Sequence, residues 1–276
     1  MTEQPAPLAQ LIHHLHAQGR LRVWSVIVTI LGELGELGEP EGGELSMSAL
    51  LELCAALEIE PQAVRTAMSR LSKEGLVTGR RLGRQAFYRF SSAGLEQYHR
   101  AARQIYAAPR DIEHWCYGLI GPDVDLAELQ KDCAAEPPLI LGARLACWPA
   151  AAMPEGLKPW RDRLVIFDST PSTFPDWARR QVFPALNAEI CGVIARLCGA
   201  LDGHVLTVPQ ARLTRLLLVH FWRRLVLRYP TIEAPLDDWP LARAHRALAS
   251  LYPQLVQMSG GTPDCATRFA YVTKKY

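Results

Sequence analysis

The sequence predicts an α+β chain of more than one domain, and three observations carry that prediction. Its 276 residues lie where single hydrophobic cores stop growing, at roughly 250 to 300 residues, so two or three domains of ordinary size fit better than one. Segments with the three-to-four spacing of a buried helix face recur along the chain, whereas short runs rich in β-branched and aromatic residues are confined to a few places. Apolar residues make up 49% and charged residues 21% with a mean hydropathy of 0.00, which supports folded cores and excludes a disordered chain.

The first sixty residues read as helices. Residues 21 to 37 place Val23, Val26, Ile27, Ile30, Leu31 and Leu34 at steps of three and four, an amphipathic helix. Residues 38 to 43 (GEPEGG) read as a loop, after which Ser46 or Ser48 can cap a second helix through Leu50, Leu53, Cys54 and Leu57. Pro61 stands at a favoured first helical position, and the run PQAVRTAMSRLSKE continues unbroken to Gly75, a natural stop. Val64, Ala67, Met68 and Leu71 share one side of this third helix, which leaves Gln62, Arg65, Thr66, Ser69, Arg70 and Lys73 on the other.

Next, residues 76 to 81 and 85 to 90 read as two strands joined by Leu82, Gly83 and Arg84, a hairpin that carries Arg80, Arg81 and Arg84. Three helices followed by a basic hairpin is the order of a winged helix-turn-helix. A helix follows Ser92 and ends by Pro109. Residues 114 to 122, 139 to 148 and 162 to 170 read as strands, with a helix over 125 to 135 between the first two. Residues 184 to 201, 207 to 229 and 240 to 257 read as helices, the second opened by a Thr207–Gln210 capping box, and the tail from Ser259 as irregular.

Charge is distributed unevenly along this plan. Residues 1 to 60 hold 2 basic and 9 acidic side chains, residues 61 to 110 hold 10 and 2, and the remainder 18 and 17. Nearly all the excess positive charge therefore falls within residues 61 to 110, which include the third helix and the hairpin, the footprint of a polyanion-binding face. A helix of that length can lie in a DNA major groove and offer Arg, Thr and Ser to base edges, with the hairpin cations against phosphates. The bland alternative is a small α+β domain with solvated surface arginines.

The residues of this region resemble a known family. The run AVRTAMSRLSKEGLV (63 to 77) and the run from Arg80 to Arg110 are similar to the PaaX family of bacterial repressors, which control phenylacetate degradation. HFWRRLVLRYP (220 to 230) and DDWPLARAHRALASLYPQL (237 to 255) resemble the C-terminal signature of that family. The resemblance implies a winged helix-turn-helix domain over residues 1–107, a ferredoxin-like, Cas2-like middle domain over 108–182 and a helical C-terminal domain over 183–276. It further implies a homodimer on partly palindromic double-stranded operator DNA, released by an aryl-CoA thioester such as phenylacetyl-CoA. The chain departs from common members at Tyr229–Pro230, at Leu241 and in its proline-rich middle, which bears on the effector rather than on DNA.

For the effector, His220, Trp222, Arg223, Arg224 and Arg228 form a cationic, aromatic helix segment that could hold CoA phosphates and an aryl ring. Alternatively those arginines pair with Asp237 and Asp238 or face solvent. Other chemistry is sparse. His13, His14 and His16 lack an acidic partner at ligand spacing, so no metal site and no cofactor are predicted. Cys54, Cys116, Cys133, Cys147, Cys191, Cys198 and Cys265 never form CxxC, which predicts free thiols in a reducing compartment. No apolar run reaches the roughly 20 residues of a membrane span, no signal-peptide pattern opens the chain, and a cytoplasmic protein is expected. Catalytic residues are predicted absent, because no GxSxG, Walker or HExxH motif occurs. The remaining alternatives are a DNA-binding regulator without a small effector and a metal-dependent nuclease, for which Asp168 is the lone acidic candidate.

Overall fold

Helices alternate with two antiparallel sheets in the computed structural model, which describes residues 6–17, 21–35, 43–107, 114–135, 138–150, 153–169, 177, 185–227, 240–261 and 268–269. The chain divides into two compact units: Met1–Ala108 with Ile194–Leu227 and His245–Tyr276, and Pro109–Val193 with Arg228–Ala244.

In the first unit, α1 (Ala6–Ala17) buries Leu8, Leu11, Ile12 and Leu15, a single stripe at steps of three and four. Helix α2 (Val23–Ile30) continues into a π-helical turn, Leu31–Gly35, where one uninterrupted helix was expected. Gly32 lies in that turn because a Cβ there would meet the Tyr98 ring at 2.3 Å. The turn also brings Glu33 into the core, where it is 1% exposed.

A two-residue strand β1 (Leu45–Ser46) leads into α3 (Met47–Ala56), and of the two expected caps it is Ser46 whose hydroxyl accepts a hydrogen bond from the Ala49 amide at 3.1 Å. Helix α4 (Pro61–Lys73) starts on Pro61 and stops before Gly75, whose φ of +72° is a left-handed value that glycine tolerates. Strands β2 (Val77–Leu82) and β3 (Gln85–Phe90) pair antiparallel around Gly83 and Arg84, with Gly83 at φ +60°, the sign a type II′ turn takes at its first central residue. Strand β1 adds to the far side of β3, giving the order β1-β3-β2. Sequence reading missed β1, since two residues are too few to show alternation.

The loop expected over 38 to 43 lies, except for Gly43, outside the described residues, as do residues 108 to 110 of the expected domain boundary. Helix α5 (Ser92–Ile105) is capped by Ser91, whose hydroxyl accepts from the Gly94 amide at 3.0 Å. Helices α7 (Ala185–Leu201), α8 (Val208–Val226) and α9 (Pro240–Met258) follow the second sheet. Thr207 and Gln210 make the expected capping box at the start of α8. Every residue of α8 from Leu213 to Trp222 is buried, the polar Thr214, Arg215 and His220 included, and the helix packs on α1, α2 and α5. Residues of both the expected first and third domains thus contribute to this unit.

The second unit holds β4 (Trp115–Ile120), α6 (Leu126–Asp132), β5 (Leu139–Leu141), β6 (Leu145–Pro149) and β7 (Leu164–Ser169) in the order β5-β6-β4-β7, all antiparallel. The single strand expected over 139 to 148 is a hairpin, because Gly142 at φ +61° turns the chain. A 3₁₀ helix, Glu155–Arg163, precedes β7 and was not foreseen from the proline-rich sequence. Ile120, Leu129, Trp148, Leu157 and Trp160 form a core on one face of the sheet, while Trp115, Tyr117, Leu141 and Cys147 cluster on the other.

Candidate nucleic-acid interface

The sequence placed two sets of residues on one basic face, and the structure exposes all of them. On α4 the buried stripe is Val64, Ala67, Met68 and Leu71, so Gln62, Arg65, Thr66, Ser69, Arg70 and Lys73 line the opposite, solvent side. At 1.5 Å per residue this 13-residue helix is about 20 Å long. Arg80, Arg81 and Arg84 are exposed on the hairpin that follows. Helix α2 packs against the back of α4, and α3 packs against both α4 and β3, so the helix and the hairpin are held by one set of supports.

The cations differ in what already occupies them. Arg70 donates from Nε to Glu74 Oε1 at 2.7 Å, an i,i+4 pair on the surface. Arg80 donates to Glu44 Oε2 at 2.6 Å and lies 5.4 Å from the centroid of Phe87, its cross-strand partner. Glu44 also stands 3.8 Å from Arg89 and is only 15% exposed, so it anchors two hairpin arginines from a position 36 residues before Arg80. Thr66 turns its hydroxyl back to the Gln62 carbonyl at 2.9 Å. Arg65, Lys73, Arg81 and Arg84 make no hydrogen bond or ion pair among the described residues and are the cations freest to meet phosphate or base edges. No sequence signal could have identified Glu44, because the pairing needs β1, β2 and β3 to be assembled.

The segment singled out for an effector is largely interior. His220 is buried and shares a 3.1 Å hydrogen bond between Nδ1 and Thr29 Oγ1, and burial, helped by Arg223 and Arg224, pushes its pKa down to about 3. Trp222 is fully buried and donates from Nε1 to the Ile105 carbonyl at 2.6 Å. Arg223 donates from Nη1 to the Ser25 carbonyl at 2.7 Å and to Thr29 Oγ1 at 3.0 Å, and Arg224 is exposed. Arg228, Asp237 and Asp238 lie outside the described residues. These bonds fasten α8 to α2 and α5, and a ligand would have to displace them to reach His220 or Trp222.

A polar cluster that sequence reading missed lies beside them. Glu33 accepts from the hydroxyl of Tyr106 and from that of Tyr252 at 3.0 Å, and stands 3.4 Å from Arg215 Nε and 3.7 Å from Arg268 Nη1. Arg215, 0% exposed, also donates to Ser259 Oγ at 2.8 Å. The four partners of Glu33 come from four separate stretches of chain, so no local spacing announces them.

Other residues noted in the sequence take structural places. His13 and His14 meet edge to face on α1, His16 shares a 2.9 Å hydrogen bond with the Leu57 carbonyl, and no metal-competent group of three occurs among the described residues. Six cysteines are free thiols, with Cys191 and Cys198 buried and raised to about 12 by that burial, while Cys265 lies outside the described residues. Asp168 is an exposed residue of β7 opposite Cys116. Among the described residues no helix is long and apolar enough to cross a membrane.

Comparison with known proteins covers this same region. Residues 22–94, which span α2 to the start of α5, match the family model described as PaaX-like protein. A 67-residue stretch is 42% identical to the transcriptional repressor PaaX of Escherichia coli strain K12, covering 24% of this chain and 21% of that protein. The similarity therefore spans about a fifth of the length of that curated relative. A solved structure, uncharacterized protein Rv0674 from Mycobacterium tuberculosis, covers 90% of this chain and 97% of its own at 18% identity and a TM-score of 0.46, too loose a likeness to carry an argument. Within residues 22–94 three helices, α2, α3 and α4, are followed by the basic β2–β3 hairpin. That segment is similar to PaaX-like proteins.

Proposed function

We propose that this chain is a sequence-specific DNA-binding transcriptional repressor, with residues 1–107 working as a winged helix-turn-helix. The observation that carries the reading is the set of exposed cations on α4 and on the β2–β3 hairpin inside the segment that matches the PaaX-like family. In this reading α4 enters the major groove, Arg65, Thr66 and Ser69 meet base edges, and Arg81, Arg84 and Lys73 meet phosphates. Arg70 and Arg80 join once DNA phosphate displaces Glu74 and Glu44. A homodimer sets the half-site spacing near one helical turn or a multiple of it.

The remaining parts of the reading follow from the family. Residues 108–182 act as a ferredoxin-like middle domain, in keeping with a sheet whose first strand lies between its third and fourth. Residues 183–276 form the helical part, and an aryl-CoA thioester such as phenylacetyl-CoA releases the operator. Among the described members of the effector set, Arg224, exposed at the end of α8, is the one best placed to meet a CoA phosphate. The reading assigns no catalytic role, no metal and no cofactor, and places the protein in the cytoplasm.

The test is an electrophoretic mobility shift with DNA from upstream of its own gene, repeated with phenylacetate, phenylacetyl-CoA and CoA. A specific complex dissolved by the thioester alone supports both parts. A complex indifferent to the thioester removes the effector, and the absence of a specific complex overturns the repressor reading.

A further inference from the structure

A cavity of about 180 Å³ opens inside the first unit, between α2, α5, α8 and the root of the β2–β3 hairpin. Trp24 and Val28 of α2, Phe90 at the end of β3, Tyr98 of α5 and Ile105 make most of its wall apolar and aromatic, with Gln97 exposed among its bordering residues. Engineered apolar cavities of roughly 150 Å³ take up benzene, so this one has room for a single ring and a small substituent.

One charged side chain in this wall lacks a counter-ion among the described residues. Arg223 borders the cavity and its Nη1 donates to three neutral oxygens, the Ser25 carbonyl, the Ser25 hydroxyl at 3.3 Å and the Thr29 hydroxyl. Among the described residues no carboxylate pairs with it, and its Nε and Nη2 groups meet no acceptor. Burial and the neighbouring Arg224 push its pKa down, the mark of a cation that its surroundings do not compensate, while Tyr98 and Tyr106 push it the other way. Glu33 also borders the cavity, but two tyrosine hydroxyls and the guanidiniums of Arg215 and Arg268 already occupy it.

We propose that this cavity binds a small free carboxylic acid with a ring-sized apolar body, the carboxylate held by the Nε and Nη2 donors of Arg223 and the ring packed against Trp24, Phe90 and Tyr98. A planar guanidinium matches a carboxylate through two parallel N–H donors, and in a largely desolvated site such a pair is stronger than a neutral hydrogen bond. The cavity is too small for a nucleotide-bearing thioester, so this ligand is distinct from the CoA ester of the preceding reading. Leu76 and Phe90, at the two ends of the hairpin, both border the cavity, so an occupant touches the root of the hairpin. Binding here does not require that the chain be a repressor, and its test uses no DNA.

The experiment is calorimetric titration of the full chain with benzoate, cyclohexanecarboxylate, benzyl alcohol and acetate. Benzoate and cyclohexanecarboxylate are expected to bind one per chain, at least about tenfold more tightly than benzyl alcohol, with acetate weakest for want of a ring. Arg223→Gln should erase the preference of acid over alcohol, and Ala101→Leu, which fills the cavity from α5, should remove binding of both ring acids. Circular dichroism checks that each variant is folded. If Arg223→Gln does not fold, the acid-to-alcohol ratio in the native chain and the Ala101→Leu titration decide the matter. Failure of both ring acids to bind the native chain, equal affinity for benzoate and benzyl alcohol, or unchanged benzoate affinity in Ala101→Leu each overturns the assignment.

Discussion

Replacing Glu33 by leucine tests the polar centre of the first unit most directly. The substitution leaves the Arg215 guanidinium, 0% exposed, without its carboxylate, and it strips the acceptor from the hydroxyls of Tyr106 and Tyr252. An uncompensated buried charge costs about 3–5 kcal/mol, and each orphaned buried hydroxyl about 1–3 kcal/mol on its own. The losses overlap, because Arg215 keeps its bond to Ser259, so the expected fall in unfolding free energy is about 3–5 kcal/mol. That is a large part of a typical domain's stability of about 5–15 kcal/mol. Urea unfolding followed by circular dichroism measures it. The double variant Glu33→Leu with Arg215→Met should lose less than the sum of the two single variants, by about 1–3 kcal/mol, since neither charge is then left alone. A loss of under about 1 kcal/mol in Glu33→Leu, or strict additivity in the double variant, would refute a network that depends on mutual compensation.

Four further outcomes are expected. His220 and His245 are held by burial at about 3 and about 4 against 6.5 for a free imidazole, so below pH 6.5 the unfolded chain takes up protons that the folded chain does not. Stability should then fall as the pH drops from 6.5 towards 4, by up to about 1.4 kcal/mol per pH unit for each imidazole. Urea midpoints measured from neutrality downward check this, and a flat profile would contradict the buried neutral state. On operator DNA, Arg65→Ala should weaken specific binding by about 1–3 kcal/mol, and Arg84→Ala should weaken all sequences alike and reduce the salt slope by about one, both read by fluorescence anisotropy across a salt series. Glu44→Gln frees Arg80 and removes a negative charge beside Arg89, so non-specific DNA affinity should rise and become more salt-dependent; a fall would show that the pair positions the hairpin instead. Gly94→Ala puts a methyl group 1.9 Å from the Leu76 carbonyl oxygen, a backbone atom that cannot rotate away, and should cost about 1–3 kcal/mol or more in thermal unfolding.

What was legible in the sequence is what local geometry controls. The stripe of Val64, Ala67, Met68 and Leu71 determined both that residues 61 to 73 form a helix and which side carries Arg65 and Lys73, because a 3.6-residue repeat couples burial to position. Ser46, Pro61, Gly75, Gly83 and the Thr207–Gln210 pair marked boundaries for the same reason, each acting on backbone within four residues of itself. The excess of positive charge over residues 61 to 110 needed only counting.

Tertiary structure decided everything that depends on partners far apart in the chain. The run His220–Arg224 reads as a surface for an anion, yet α1, α2 and α5 enclose α8, so His220 and Trp222 spend their polar atoms on Thr29 and Ile105. Arg80 resembles its neighbours Arg81 and Arg84 in sequence and differs from them only because β1 delivers Glu44 to it. Glu33 sits in an apolar helical run and would be assigned to solvent, but a π turn directs it inward to partners that lie 73 to 219 residues away in its hydrogen bonds. Hydrophobic periodicity records only whether a position is covered. Which group completes a buried charge is settled when the chain closes, because the cost of leaving that charge unpaired arises only after water has been excluded.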